Sequence, residues 1–306
     1  YGYGNVAGGG CAIATCFLWW YGIINVDDGA RVAVISGFIS RRKNRTLKMS
    51  VNGWIIVDKP VGMTSTRVGG LIKRLCKTKS LGHVGTLDPF ATGLLPLAVG
   101  EATKIIPYVK TDIKEYEFDL KFGEARDTCD LEGVVIATSD HRPTAEAIQQ
   151  ALTAFRGQIS QVPPIYSALR VNGERAYTLA RQGIIPDLKA RQVTIYELEL
   201  LMVFSDTVRL RVVCSTGTYV RTLGQDLSLY LGTVGHLTAL RRTKVGKFTL
   251  TDSFPLDKLQ EEAHITSISS CVLPIRIVLD DIPAISVGSR EELKIRQGQA
   301  IPFFVN

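Results

Sequence analysis

Residues 82–93 have the sequence Gly82-His83-Val84-Gly85-Thr86-Leu87-Asp88-Pro89-Phe90-Ala91-Thr92-Gly93, and the rest of the chain is organised around them. Three glycines, one proline and two threonines in twelve residues predict a tightly turned loop rather than a helix or a central strand. Pro89 biases Asp88 towards an extended conformation, while Gly85 and Gly93 let the backbone approach a ligand closely. The loop therefore presents one carboxylate to a cleft, unless Asp88-Pro89 is an ordinary turn.

The pattern continues beyond this loop, through Leu94-Leu95-Pro96 to Gly100-Glu101-Ala102-Thr103-Lys104. Over this whole length the sequence resembles, almost residue for residue, the signature of the TruB-type tRNA pseudouridine synthases. The resemblance implies that Asp88 is the one catalytic carboxylate, and it makes Gly85 and Thr86 candidate substrate-binding residues. A match of this length is far more specific than a short glycine motif.

The resemblance also implies a reaction, which is the isomerisation of uridine to pseudouridine in the T-loop of tRNA, at position 55, without cofactor or metal. The enzyme must break the N-glycosidic bond, rotate the detached uracil and join C5 to the sugar. Asp88 could attack the uracil ring, attack the sugar or assist elimination to a glycal, since each route needs an ionised carboxylate near C1′. His83 either fills the space that the flipped-out base leaves or satisfies turn backbone.

The segment before the loop predicts a strand, a turn and a helix. Residues 54–57 are apolar and lead into Asp58-Lys59-Pro60, which indicates a short buried strand that ends in a turn. Thr64 can cap a helix whose apolar positions have helical spacing, at Val68, Leu71, Ile72 and Leu75. The family opens in the same way, so Lys59 is a candidate substrate-binding residue. Four basic residues are either solvated or bound to RNA phosphates: Lys73, Arg74, Lys77 and Lys79.

Residues 114–123 alternate strictly between apolar and polar side chains, which predicts a half-buried strand. Tyr116 has the parity of the apolar face, and taken alone it is a core aromatic residue. The resemblance places Lys114-Glu115-Tyr116 where the family has its active-site tyrosine. The ring could then stack on uracil, and the hydroxyl could reach a proton of the base.

Three segments carry the resemblance further. Residues 128–133 are similar to an acidic turn of the family, and residues 143–155 predict a helix that starts at Pro143. Residues 161–177 resemble the insertion that closes over the RNA stem-loop. Arg170 and Arg175 would contact phosphates there, unless the segment is a helical hairpin that only packs.

Residues 193–203 and 207–215 predict two strands, followed by a helix that buries Val220, Leu223, Leu227 and Tyr230. Arg221 falls one position beyond the first core residue, which ordinarily means an exposed arginine. The segment resembles the strand-turn-helix motif in which an arginine pairs with the catalytic Asp, and Tyr219 beside it is a substrate-binding candidate. A carboxylate that must stay ionised in a closed pocket needs such a cation.

Residues 236–248 resemble a family strand whose Leu240 lines the uracil pocket. We expect four basic residues of this segment to form an RNA-binding face: Arg241, Arg242, Lys244 and Lys247.

The fold expected from the resemblance is α+β, with a pseudouridine synthase catalytic domain on a mixed, mostly antiparallel sheet at 49–275. It contains an RNA-clamping insertion at about 161–190. Residues 280–306 resemble the start of a small C-terminal PUA-like RNA-binding module, which we expect to be truncated. Residues 1–48 differ in character, with a glycine-rich patch and an apolar run too short to span a bilayer. We expect them to be a non-native upstream extension before a natural start at Met49.

Composition adds little to this interpretation. The net charge of +7 over 306 residues is concentrated in residues 1–48, which hold six basic and two acidic residues and leave 30 against 27 elsewhere. Six cysteines without paired CxxC spacing argue against structural zinc and imply no disulfide framework. We therefore expect a cytoplasmic monomer that binds the T-arm stem-loop of tRNA and no membrane.

Other classes of protein would place different demands on these residues. A noncatalytic tRNA-binding or folding protein would not need Asp88, Tyr116 and Arg221 together. A glycoside hydrolase would need a second carboxylate placed against Asp88. Guide-RNA-dependent synthases share the Asp88 loop, but the insertion at 161–190 and the Gly-Glu-Ala-Thr-Lys run favour the stand-alone type.

Overall fold

The computed structural model describes residues 51–171, 173–265, 268–280, 282 and 287–301, together with two short strands, β1 Ile23–Asn25 and β2 Arg31–Ala33. Residues 1–48, which we expect to be a non-native extension, therefore lie almost wholly outside the described residues. Residues 302–306 also lie outside them. The chain divides into two compact units, Ser50–Leu273 and a second unit of Tyr1–Met49 with Pro274–Asn306. Within the described ranges, none of the helices is long and apolar enough to cross a bilayer.

The elements of the larger unit follow the order expected from the periodicity of the sequence. Its strands are β3 Gly53–Lys59, β4 Leu81–His83, β5 Thr92–Val99, β6 Ile113–Phe122, β7 Glu124–Arg126, β8 Val135–Thr138, β9 Gly157–Gln161, β10 Arg170–Val171, β11 Glu174–Arg175, β12 Arg191–Val203, β13 Thr207–Ser215, β14 Gly235–Val245, β15 Phe248–Thr249 and β16 Phe254–Pro255. Its helices are α1 Ser65–Leu75, α2 Ala145–Ala151, α3 Ala176–Arg181, α4 Val220–Tyr230 and α5 Leu256–Ile265.

The smaller unit contains strand β1, paired antiparallel with β2, and helix α6 Ser289–Arg296. Glu291 and Glu292 lie in the first turn of α6, where carboxylates complement the helix dipole. The PUA-like identity of this region stays a prediction.

One ten-stranded sheet forms the framework of the larger unit, in the order β16-β3-β5-β14-β6-β13-β12-β9, with β4 beside β5 and β15 beside β14. Only the β16–β3 and β14–β5 pairs are parallel in this sheet. The expected α+β fold with a mixed, mostly antiparallel sheet is therefore confirmed. The β14–β5 pair joins Arg241 and Arg242 to Thr92 and Gly93, so it brings two distant parts of the sequence together at the end of the Asp88 loop.

The core lies where helices α1, α2, α4 and α5 pack on the sheet, in one continuous cluster of buried apolar residues. Strand β6 shows the expected alternation, with Tyr116, Phe118, Leu120 and Phe122 buried. Thr64 caps α1 as expected, since its side chain accepts a hydrogen bond from Arg67 N. Within this framework the Asp88 loop connects β4 to β5, which pair antiparallel.

Two expectations about helices were wrong in detail. The helix expected at 143–155 begins at Ala145, because Thr144 rather than Pro143 provides the N-cap, and it tightens into a 3₁₀ turn at Leu152–Phe155. Tyr230 at the end of α4 is 63% exposed rather than buried. Its ring packs edge-on against Phe155, so the helix has left the core by its last turn.

Candidate active site

The candidate active site is centred on an ion pair between Asp88 and Arg221. Asp88 Oδ2 lies 2.9 Å from Arg221 Nη2. The Arg221 side chain is 4% exposed and the Asp88 side chain 38%. The guanidinium thus approaches from the protein interior, while the carboxylate keeps one side open to a ligand. The expected pairing of these two residues is present in the structure.

A second carboxylate holds the other side of the guanidinium. Asp130, 2% exposed, lies 3.2 Å from Arg221 Nη1, which also donates to the carbonyl oxygen of Thr128 at 3.0 Å. Arg221 Nη2 donates to the carbonyl oxygen of Tyr166 at 2.9 Å. Arg221 therefore connects the Asp88 loop, the acidic turn at 128–133 and the start of the insertion. This network explains why an arginine next to a core position is buried.

Lys59 and Ser65 hold the Asp88 loop through hydrogen bonds to its backbone. The Lys59 ammonium is fully buried and donates to the carbonyl oxygens of Pro60, Met63 and Pro89 at 2.7–3.2 Å. Burial lowers its pKa to about 8, although the nearby Asp88 charge acts in the opposite direction. Ser65 Oγ donates to the Leu87 carbonyl and accepts from the Leu87 amide. In this structure Lys59 contacts loop backbone.

Arg242 is a fully buried cation that joins the loop to Tyr116. Its guanidinium donates to the carbonyl oxygens of Leu94, Gly85 and Thr86 at 2.8, 2.9 and 3.4 Å. Burial raises the pKa of Tyr116, while the charge of Arg242 and a hydrogen bond from it lower that pKa. The Asp88 charge also acts on Tyr116. The structure therefore gathers Tyr116, Gly85 and Thr86 at the site expected from the sequence.

His83 and Leu240 lie on strands beside this centre. His83 ends β4, and its Nδ1 is buried without a hydrogen-bond partner in the described part of the chain. Burial, followed by the charge of Arg242, lowers the pKa of His83. Leu240 is buried in β14, two residues before Arg242. The roles that the resemblance implies for His83 and Leu240 stay predictions.

Tyr219 precedes α4 and is held by a buried side chain that sequence reasoning missed. The Gln161 amide accepts from Tyr219 N at 2.8 Å and donates to Tyr219 O at 3.1 Å. The Arg191 guanidinium lies 4.6 Å from the centre of the Tyr219 ring. Gln161 is a polar residue at the end of a strand, and nothing in the local sequence predicts its hydrogen bonds to the distant backbone of Tyr219.

Arg170 and Arg175 face each other across the small β10–β11 hairpin and are exposed. Arg175 lies 6.0 Å from the centre of the Tyr177 ring. Neither arginine forms an ion pair with Asp88, so the structure does not bring them to the carboxylate. Their position on an exposed hairpin is compatible with contacts to a ligand outside the cleft.

The expected basic face at 236–248 was wrong for Arg242, whereas the Arg241 side chain is 39% exposed. Arg242 is fully buried, and Arg241 forms a two-pronged ion pair with Asp58 at 2.7 and 3.0 Å. A run of basic residues on a strand places alternate members on opposite faces, and this periodicity was the signal that could have separated them. Asp130 was not singled out from the sequence either, although it lies in the segment 128–133 that resembles an acidic turn of the family.

The described residues contain no group of three metal-ligating side chains close enough to hold a metal ion. A cleft of about 470 Å³ lies beside the Asp88 loop, where Lys59 and Thr92 line it together with Asp58, Arg241 and Gln260. Asp88 does not line this cleft, and the Asp58 carboxylate there is already paired. The arrangement of charge at Asp88 and Arg221, rather than the depth of a pocket, distinguishes the candidate site.

Known proteins share the sequence pattern and the fold of this chain. Residues 73–220 match the family model "TruB family pseudouridylate synthase (N terminal domain)", and residues 221–280 match "tRNA pseudouridylate synthase B C-terminal domain". The chain is 46% identical to tRNA pseudouridine synthase B of Bradyrhizobium diazoefficiens, over 90% of this chain and 81% of that protein. It is 47% identical to the protein of the same name from Gluconacetobacter diazotrophicus, over 82% and 83%.

A solved structure with a similar fold is that of a Cbf5-Nop10-Gar1 complex. One of its chains is 28% identical, with a TM-score of 0.57 over 76% of this chain and 63% of that one. An H/ACA RNP bound to a substrate RNA gives 26% identity and a TM-score of 0.56 over 76% and 62%.

The family match and the shared fold together define a pseudouridine synthase. Within that class, the chain belongs to the TruB family.

Proposed function

We propose that this protein converts uridine to pseudouridine at position 55 in the T-loop of tRNA, with Asp88 as the catalytic carboxylate. The observation that carries the proposal is the Asp88–Arg221 ion pair, in which a buried guanidinium holds a carboxylate that remains partly open. Relatives named tRNA pseudouridine synthase B, at 46–47% identity over most of their length, support tRNA as the substrate.

Arg221 holds the Asp88 carboxylate in one orientation for each of the three chemical routes. A carboxylate in a site closed by RNA loses hydration, and a fixed cation replaces that hydration. Because Arg221 Nη2 approaches Oδ2, the other oxygen Oδ1 remains available to C1′ or to the uracil ring. Asp130 pairs with the other terminal nitrogen of the guanidinium, Nη1. This second ion pair keeps Arg221 in place when the substrate binds.

Tyr116 supplies a neutral hydroxyl at the base. Its raised pKa keeps the phenol protonated at neutral pH, so it does not add a second negative charge beside Asp88. The hydroxyl accepts the proton from C5 while it gives its own proton to an acceptor, for which the nearby Asp88 carboxylate is available. Leu240 provides an apolar surface for uracil during its rotation. His83, whose lowered pKa keeps it neutral, fills the stack that the uridine leaves.

Contacts outside the cleft position the RNA. Arg170 and Arg175 on the exposed hairpin contact phosphates of the stem-loop, and Tyr219 and Lys59 support the segments that surround the target nucleotide. We further propose that 49–275 is the catalytic domain, that 161–190 clamps the RNA, that 280–306 opens a PUA-like module and that 1–48 takes no part. The protein acts as a cytoplasmic monomer.

The test is pseudouridine formation on a bare tRNA transcript and on its T-arm stem-loop, without any other RNA or protein. We expect the full chain to form pseudouridine at the T-loop uridine of both, mapped by chemical modification and primer extension. A noncatalytic binding protein would bind both RNAs and leave the uridine unchanged. A guide-RNA-dependent enzyme would modify neither RNA until a guide was added.

A further inference from the structure

Lys114 places another cation beside the loop that carries Asp88. It precedes Tyr116 by two residues on β6, so the two side chains project from the same face of the strand. A Cβ on Gly85 would lie 3.6 Å from Lys114 Nζ and 3.0 Å from Arg242 Nη1. Because Gly85, at φ +74°, has no side chain, it leaves a notch that both cations border.

Neither cation that borders this notch forms an ion pair with a carboxylate of the described residues, although the charge of Asp88 acts on Arg242 from a greater distance. Lys114 Nζ donates to Thr216 Oγ1 at 2.8 Å, and no carboxylate lies within ion-pair distance of it in the part of the chain that the structure describes. An ammonium has three protons, so two remain for a ligand. Arg242 is also without a carboxylate partner among the described residues, since its donors reach backbone carbonyls and the Tyr116 hydroxyl.

The surroundings of Lys114 favour an anion. Burial, followed by repulsion from Arg242, lowers the pKa of Lys114. A partly desolvated site bordered by two like charges is stabilised by a negative ligand, which would restore the ordinary proton affinity of the amine. Backbone phosphate is the anion that every RNA carries into such a site.

We infer that Lys114 binds a backbone phosphate adjacent to the target uridine, in the notch that Gly85 leaves open. The inference rests on the proposed function and names a contact within it. For a uridine to reach Asp88, its own backbone has to pass the loop that Gly85 belongs to, so a flanking phosphate enters the notch. Lys114 is therefore a binding and positioning residue and takes no part in bond making or breaking.

The experiment pairs a protein change with an RNA change. Full-length wild type and Lys114→Met are titrated with T-arm stem-loops that carry either natural linkages or a single uncharged methylphosphonate linkage, placed directly 5′ or 3′ of the target uridine. We expect Lys114→Met to weaken binding of natural RNA about tenfold and to lower the salt slope by about one. One of the two methylphosphonates should weaken wild-type binding equally and add nothing to Lys114→Met.

Lys121→Met is the matched control, because Lys121 lies on the same strand with its ammonium 3.8 Å from carboxylates of Glu124 and Asp206. It should bind every RNA as wild type does. If Lys114→Met folds poorly, Lys114→Gln provides the same comparison. Methylphosphonates that weaken both proteins equally at both positions would overturn the inference. Because the coupling is measured on binding, tight binding without pseudouridine in wild type would refute the proposed function alone.

Discussion

Arg221 is buried at the centre of the candidate site, although its place in the sequence predicts an exposed side chain. Helical spacing places it next to a core position, where an arginine would ordinarily reach solvent. Its burial requires two carboxylates, and these come from Asp88 and Asp130, which lie more than ninety positions away in the sequence. Periodicity within one helix carries no information about such partners. The family resemblance supplied Asp88, whereas Asp130 emerged from the structure.

Asp130→Ala should lower both stability and turnover. Removing one carboxylate from a buried pair leaves Arg221 undercompensated, and we expect the free energy of unfolding to fall by about 3 kcal/mol in urea titrations. The control is Asp119→Ala, which removes a two-pronged pair with Arg209 whose side chains are 16% and 41% exposed. That change should cost at most about 1 kcal/mol. Equal losses for the two variants would show that Asp130 does not support Arg221.

Tyr116→Phe separates stacking from proton transfer. The ring remains, so binding of the stem-loop should change little, while loss of the hydroxyl should slow release of the C5 proton by about 100-fold or more. Tritium release from RNA labelled at C5 of uridine measures this step directly. Release at the wild-type rate would remove the Tyr116 hydroxyl from the mechanism.

At the scale of elements, the parallel contact of β5 with β14 determines where the Asp88 loop ends. Gly93 has φ +97°, and a Cβ there would lie 2.3 Å from the carbonyl oxygen of Arg242. The obstacle is backbone, which cannot rotate away as a side chain can. This close approach brings the guanidinium of Arg242 under the loop, where it binds the carbonyls of Gly85 and Thr86.

Gly93→Ala should therefore destabilise the protein by about 3 kcal/mol, through overpacking and strain at positive φ. Gly70→Ala is a suitable control, because Gly70 lies within α1 and a Cβ there would meet nothing within 4 Å. In a helix, that change should stabilise by up to about 1 kcal/mol. Urea titrations measure both. A Gly93→Ala protein as stable as wild type would contradict the close contact.

Elements with one buried face were predictable from sequence, since alternation reports burial directly. Strand β6 and the β12–β13 hairpin occur where the pattern placed them. Alternation failed to predict burial where hydrogen bonds to distant backbone determine it. Arg242 lies in a basic run that resembled an RNA-binding face, but three backbone carbonyls satisfy its guanidinium inside the protein. The order of ten strands, with β14 between β5 and β6, depends on contacts that local sequence does not encode.

At the scale of the whole molecule, buried histidines make stability depend on pH. His236 is almost fully buried, with Nδ1 2.8 Å from the Glu124 carbonyl oxygen and Nε2 without a partner in the described ranges. Burial lowers its pKa below the ordinary 6.5. The unfolded chain therefore takes up the proton first as the pH falls, and the free energy of unfolding should decrease below about pH 6.5.

His236→Asn keeps a hydrogen-bond donor near the position of Nδ1 but does not titrate. Urea titrations between pH 7 and pH 5 should show a shallower loss of stability for this variant than for wild type. His83, whose pKa is also lowered by burial, accounts for part of the remaining slope. An unchanged slope in His236→Asn would assign the pH dependence to other groups.

The central claim is that Asp88 performs the chemistry while other residues bind the RNA. Asp88→Asn keeps the shape and hydrogen-bonding capacity of the side chain but removes its charge and nucleophilicity. Single-turnover pseudouridine formation on the T-arm stem-loop, measured beside the dissociation constant, tests this claim most directly. We expect binding close to that of wild type and a rate lower by at least roughly three orders of magnitude, about 4 kcal/mol of barrier. Pseudouridine formation near the wild-type rate, in variant protein verified to carry no aspartate regenerated by deamidation at this position, would contradict it.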